Sequence, residues 1–118
     1  MVTLTIIANE APYGTEKTWN ALRLAGASAT AEIGMKVNVF LIGDSVAAAK
    51  KGQVTPEGYY NTEKMIADLV AKGVEFQCCG TCLKARGISD AELIGGAKRG
   101  TMMILAKWIK ESDRVVSF

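Results

Sequence analysis

Apolar positions along this chain come in two alternating patterns: short β-branched runs and stripes at helical spacing. Val2-Thr3-Leu4-Thr5-Ile6-Ile7-Ala8 closes on the turn-rich Asn9-Glu10-Ala11-Pro12-Tyr13-Gly14, which predicts a first strand and a loop. Thr15 is a suitable N-cap, and Trp19, Leu22, Ala25, Gly26 and Ala29 follow at helical spacing until Gly34. Val37 to Ile42 is almost wholly apolar, as expected of a strand covered on both faces. Gly43-Asp44-Ser45 then turns into a short Ala-rich helix, Val46 to Lys50. The longest irregular stretch, Lys51 to Tyr60, reads as a solvated connection, a flap or a contact loop.

Asn61 caps the next predicted helix, whose stripe of Met65, Ile66, Leu69 and Val70 stops at Gly73. Val74 to Cys78 reads as a third strand. Ser89-Asp90-Ala91-Glu92 has the form of a capping box. Leu93 to Ala97 is the expected fourth strand, Thr101 caps a helix running through Lys110, and Arg114 to Phe118 is the fifth strand. Strand and helix alternate throughout. The expected fold class is therefore α/β, a three-layer α/β/α sandwich with a mainly parallel five-stranded sheet in a single domain, residues 1–118.

Composition narrows the choice of function. A chain of 118 residues with 49% hydrophobic and 22% charged content suits one soluble domain. Its net charge is +2, with basic residues scattered and aromatics not interleaved among them, which argues against nucleic acid. No apolar run approaches the roughly 18 residues of a membrane span. The first residues, Met1 to Ala8, read as a strand rather than a signal peptide. Three cysteines do not make a secreted disulfide framework, so a cytoplasmic, reducing setting is expected.

The chain has no histidine, which removes the usual base for serine hydrolysis. Chemistry then falls to Cys78-Cys79-Gly80-Thr81-Cys82, where an apolar run ends and a helical segment begins. Cys78 continues the row of Val74 and Phe76 and reads as core. Cys79 falls at the turn, facing solvent, and Cys82 lies one helical turn further on. A helix start with nearby cations lowers a thiol pKa from about 8.5 to roughly 5 to 7, and this is the expectation for Cys79. With four ligands wanted and only a Cys-x-x-Cys present, no metal and no cofactor are expected.

Parallel sheets build their sites beyond the carboxyl ends of the strands, which puts Asn9, Tyr13, Asp44 and Cys79 along one edge. Lys84 and Arg86 are the cations expected near the thiols, and Asp44 reads as a helix cap or a site residue. Trp108, Met102, Met103 and Ile109 spread apolar residues around most of the last helix. That surplus predicts either a subunit interface or a deeply buried helix.

Several segments taken together carry a family likeness. Ala8 to Glu16, Asn20 to Ala25, Val39 to Val46, Gly52-Gln53, Gly58-Tyr59, Cys79-Gly80-Thr81-Cys82 with Arg86-Gly87-Ile88, Gly100-Thr101 and Asp113 to Phe118 occur in order over essentially the whole length. The chain resembles the DsrE-like sulfur-relay family, and within it the small stand-alone YchN-type branch. The resemblance implies a five-stranded α/β subunit assembled as a homo-oligomer, a trimer or a hexamer. It also implies a strand-end cysteine before the Arg-Gly, matching Cys79, that carries sulfur as a persulfide. Cys82 matches the second cysteine of the stand-alone branch and would resolve that persulfide.

The expected function is thus a sulfur carrier or sulfurtransferase component, with Cys79 and Cys82 catalytic and Asn9, Tyr13, Asp44, Lys84 and Arg86 lining the pocket. Sulfur donor and acceptor proteins are its expected partners. The alternatives are a Cys-x-x-Cys dithiol redox protein and a non-catalytic oligomeric binding subunit.

Overall fold

Strands β1 (Thr3–Ala8), β2 (Lys36–Leu41), β3 (Glu75–Cys79), β4 (Ala97–Gly100) and β5 (Arg114–Ser117) form one sheet in the order β4-β3-β2-β1-β5. Every pairing is parallel. This is a computed structural model, and it describes residues 1–118. Helices α1 (Lys17–Ser28), α2 (Thr62–Ala71), α3 (Gly80–Ala85) and α4 (Met102–Glu111) connect the strands, with 3₁₀ segments at Gly43–Ala49 and Asp90–Glu92.

Strand order explains the layers. From β1 to β4 the chain steps in one direction across the sheet, so right-handed crossovers put α1, α2 and α3 on one face. The step from β4 to β5 returns over three strands in the opposite direction and puts α4 on the other face. Trp108 of α4 meets Phe40 edge-on there, with ring centroids 6.2 Å apart.

The core is contiguous, and its largest members are Phe40, Phe76, Ile6, Leu22, Leu41, Ile66 and Leu83. Burying such a side chain contributes about 1.5–3 kcal/mol. β2 is covered on both faces, as its continuous apolar run predicts. The small residues of α1 serve close packing: a Cβ at Gly26 would lie 3.4 Å from Leu69 of α2.

The structure corrects four element assignments. The fourth strand is Ala97–Gly100, not Leu93 to Ala97. Leu93 and Ile94 are buried, but Leu93 bridges antiparallel to Lys50 before a turn at Gly95-Gly96. The real strand is an edge whose Lys98 and Arg99 are exposed, so it has no apolar signature. The first helix stops at Ser28 rather than Gly34, and it starts at Lys17 with only a long bond from its amide to Thr15 Oγ1. The segment after β2 is 3₁₀ and starts at Gly43. β3 extends one residue further, to Cys79.

Caps at Asn61 and Thr101 hold as predicted, each side chain accepting the backbone N–H three residues on. The Ser89–Glu92 capping box is also present.

Candidate functional site

The site is built on the turn from β3 into α3. Alternation along β3 sends Phe76 and Cys78 into the core on one face and turns Cys79 to the other. Cys78 has no exposed surface, and burial pushes its thiol up to about 12. It is a core residue, as its place in the sequence predicts.

Cys79 and Cys82 are free thiols, near enough for Cys82 to act on the Cys79 sulfur. The backbone N–H groups of Thr81 and Cys82, at the first turn of α3, favour the Cys79 anion. Burial outweighs them. Cys79 is only 6% exposed, and desolvation followed by the bond with Cys82 raises its pKa above the ordinary thiol range. This corrects the expectation of a solvent-facing Cys79 with a lowered pKa. Cys79 both ends β3 and caps α3, and here it is folded under that turn rather than projected from it.

Cys82 is half-buried, and its Sγ accepts the backbone N–H of Gly43 at 3.2 Å. Gly43 holds that position with φ +64°, a conformation glycine adopts without strain. Ser45 fixes the same turn, donating to Ala8 O and accepting from Ile42 N. Ser45 therefore caps the 3₁₀ segment, and Asp44 is released for another task. Its Oδ1 receives two bonds from Arg86, at 3.2 Å from Nε and 2.7 Å from Nη2. Arg86 Nη1 donates to Cys82 O. The guanidinium thus sits beside the dithiol, with the Asp44 carboxylate holding it firmly protonated.

On its other side Cys79 borders a cleft of about 320 Å³ lined by Arg99, Gly100, Thr101 and Met102. Arg99 spans that rim, bonding Asp90 through Nε and Gly80 O through Nη1. Gly80 suits this closeness, since a Cβ there would lie 3.2 Å from both Arg99 Cγ and Gly100 O. Arg99 and Thr101 have no place among the residues expected from sequence. Placing the fourth strand four residues early hid the fact that Arg99-Gly100-Thr101 ends beside Cys79.

The remaining expected residues divide. Asn9 lies at the same sheet edge, its carbonyl close to Gly43, but its side chain ties down the chain end through Ser117 Oγ and Phe118 O. Lys84 is exposed on α3 and joins none of the ion pairs, which are Lys50–Glu92, Arg86–Asp44 and Arg99–Asp90. Tyr13 lies elsewhere. Its hydroxyl donates to Gln53 Oε1 and accepts from Thr62 N, and its ring joins those of Tyr59 and Tyr60. Those bonds, with Glu63 receiving the amides of Gly52 and Gln53, pin the 51–60 segment and make it a held loop rather than a free flap.

No group of three or more Cys, Asp and Glu side chains could hold a metal ion. No helix is long and apolar enough to cross a membrane.

A single α/β subunit with a free strand-end dithiol is the class that fold and site define. Comparison with known proteins agrees, the profile of the DsrE/DsrF-like family matching residues 3–118. The chain belongs to the DsrE/DsrF-like family. It is 42% identical to Protein YchN of Escherichia coli K12 over 118 residues, covering the whole of both chains. It is 43% identical to an uncharacterized protein of Methanocaldococcus jannaschii over 114 residues, 97% of each. The crystal structure of the E. coli ychN protein superimposes with a TM-score of 0.93 over the whole of both chains. A protein of unknown function from Methanobacterium thermoautotrophicum shares the fold, with a TM-score of 0.76 at 14% identity over 98% of this chain and 99% of that one.

Proposed function

We propose that this protein accepts and hands on sulfane sulfur, as a sulfurtransferase or sulfur-relay component with Cys79 as the carrier. The observation that carries the reading is a pair of neighbouring free thiols at a strand end, beside an open cleft. In the transfer, a thiolate attacks the outer sulfur of a donor persulfide, the donor S–S bond breaks, and the donor leaves as a thiol. No oxidant is consumed. The Thr81 and Cys82 amides would hold the resulting anion at Cys79, while the recessed position shields it. A reducing, cytoplasmic setting belongs to the same reading, because it keeps both thiols free. Donor and acceptor proteins are its proposed partners.

Assembly into a homo-oligomer, a trimer or a hexamer, is part of the proposal. Its support is the exposed apolar surface of α4, where Met103 is 79% exposed and Met102 and Ile109 are also open. That exposure removes the alternative of a deeply buried last helix within the subunit. Asn38 Oδ1 and Gln77 Oε1 are buried in the subunit without partners.

Intact mass after incubation with a persulfide donor tests the function. The protein should gain one sulfur that maps to Cys79 at long times, and the Cys79→Ser, Cys82→Ser double variant should gain none. No gain with any persulfide donor rejects the proposal. The pair of neighbouring thiols also favours a second reading, a dithiol oxidoreductase. For that, a redox titration must find a reversible Cys79–Cys82 disulfide and no sulfur uptake.

A further inference from the structure

Cys79 and Cys82 are near neighbours yet open in different directions. β3 lies between β4 and β2 in the sheet, so whatever follows β4 and whatever follows β2 flank the dithiol from opposite sides. Cys79 faces the β4 side, where Arg99, Thr101 and Met102 wall its cleft. Cys82 leans to the β2 side, where its sulfur takes the Gly43 N–H and where Asp44 and Arg86 form the outer surface.

If the pair carries sulfane sulfur, as proposed above, these two openings have different uses. We infer that Cys82 receives sulfur first and Cys79 then takes it from Cys82, making the dithiol a two-sided relay. The Gly43–Asp44–Arg86 side receives and the Arg99–Thr101–Met102 cleft delivers.

Three observations carry this order. Cys82 is the more exposed thiol, so a donor persulfide reaches it without parting the β3–α3 turn. Its sulfur already accepts a fixed backbone N–H, so the charge that returns to Cys82 when it leaves in the hand-over to Cys79 is met with no rearrangement. Cys79, by contrast, is desolvated but lies near Cys82 and the backbone N–H groups of Thr81 and Cys82. It is poorly placed to meet a bulky donor and well placed to take sulfur from its neighbour.

Both steps balance without a redox co-reactant. First the Cys82 thiolate attacks the outer sulfur of R–S–SH, giving Cys82–S–SH and R–S⁻, which takes up the proton that Cys82 released on ionising to become R–SH. The Cys79 thiolate then attacks the terminal sulfur of Cys82–S–SH. The bond between the Cys82 sulfur and that terminal sulfur breaks, Cys82 leaves as thiolate and takes up the proton that Cys79 released on ionising, and Cys79–S–SH remains. Attack on the inner sulfur would instead give a Cys79–Cys82 disulfide and release sulfide, the same products as the sequence expectation, in which Cys82 resolves a persulfide carried by Cys79.

The test uses glutathione persulfide as donor, quenching with iodoacetamide at intervals and locating the added sulfur by peptide mass. In the wild type, sulfur should appear on Cys82 before Cys79. In Cys79→Ser it should load onto Cys82 and stay there. In Cys82→Ser, loading should slow by about tenfold or more, since only the recessed thiol remains. Cys82→Ala serves as a second variant, and thermal melting checks that each variant folds. The order is overturned if Cys82→Ser loads at the wild-type rate or if sulfur appears first on Cys79. One sulfide released per sulfur taken up, with a disulfide left behind, overturns it too. The wild-type time course alone decides the matter should both variants unfold. A wild type that takes up no sulfur rejects the carrier reading itself, and the lack of signal in every protein separates that outcome from a wrong order.

Discussion

The backbone N–H of Gly43 donates to the Sγ of Cys82 across 3.2 Å, joining the turn after β2 to the helix after β3. Thirty-nine residues separate the two in the chain. The bond makes the conformation of one turn part of the chemistry of the other.

Gly43→Ala should therefore act on both. Its φ of +64° is strained for alanine, at a cost of about 1 kcal/mol or more, while the new Cβ would only touch Asn9 O at 3.4 Å. We expect a lower melting temperature together with an altered alkylation rate of Cys82, whose sulfur loses its fixed N–H partner. An unchanged alkylation rate would show that the bond does not tune the thiol.

The three cysteines should label in the order Cys82, Cys79, Cys78 when the native protein meets iodoacetamide. Cys78 is sealed and Cys79 nearly so, while Cys82 is half open. Because burial raises the Cys79 pKa, its thiolate fraction is below that of a free thiol at any given pH. Its labelling rate should keep climbing above the pH of about 8.5 at which a free thiol is half ionised. Peptide mass after labelling at a series of pH values checks both statements.

Cys78 sets a limit on alkaline stability. Its folded pKa of about 12 exceeds the unfolded value, so the native state holds the proton more tightly. The stabilisation this represents is complete below about pH 8.5 and is lost as pH rises towards 12. Chemical denaturation at pH 8 and at pH 10.5 should show a drop in wild type that is smaller in Cys78→Val.

Tyr13→Phe should destabilise the fold and leave the thiols alone. The change removes the acceptor of the Thr62 N–H and the donor to Gln53, at about 1–3 kcal/mol. Denaturant melts should register the loss, and Cys82 alkylation should match wild type. An altered thiol rate would return Tyr13 to the site from which its position excludes it.

The exposed apolar face of α4 yields a prediction about assembly. Met103→Lys removes an open methionine without touching the core and should shift the protein from oligomer to monomer in sedimentation velocity. A wild type that is monomeric at micromolar concentration, or a variant that still assembles, would move the interface elsewhere.

Much of this protein is written locally in its sequence. The β-branched run before Asn9, the apolar run of β2, the caps at Asn61 and Thr101 and the core position of Cys78 follow from spacing and propensity. Those rules concern neighbours in the chain, and they sufficed for the α/β class and for the dithiol at the end of β3. The charged edge strand Ala97–Gly100 escaped them because an edge needs no apolar face.

What tertiary structure alone decided is what lies next to the sulfur atoms. Strand order brought Gly43 to one side of the dithiol and Arg99 to the other, paired Asp44 with Arg86, and carried Tyr13 away to hold a loop. It also reversed the expected ionisation of Cys79, because a thiol answers to everything that displaces water around it. Desolvation is a sum over all the elements packed on an atom, and the residues adjacent in sequence supply only part of that sum.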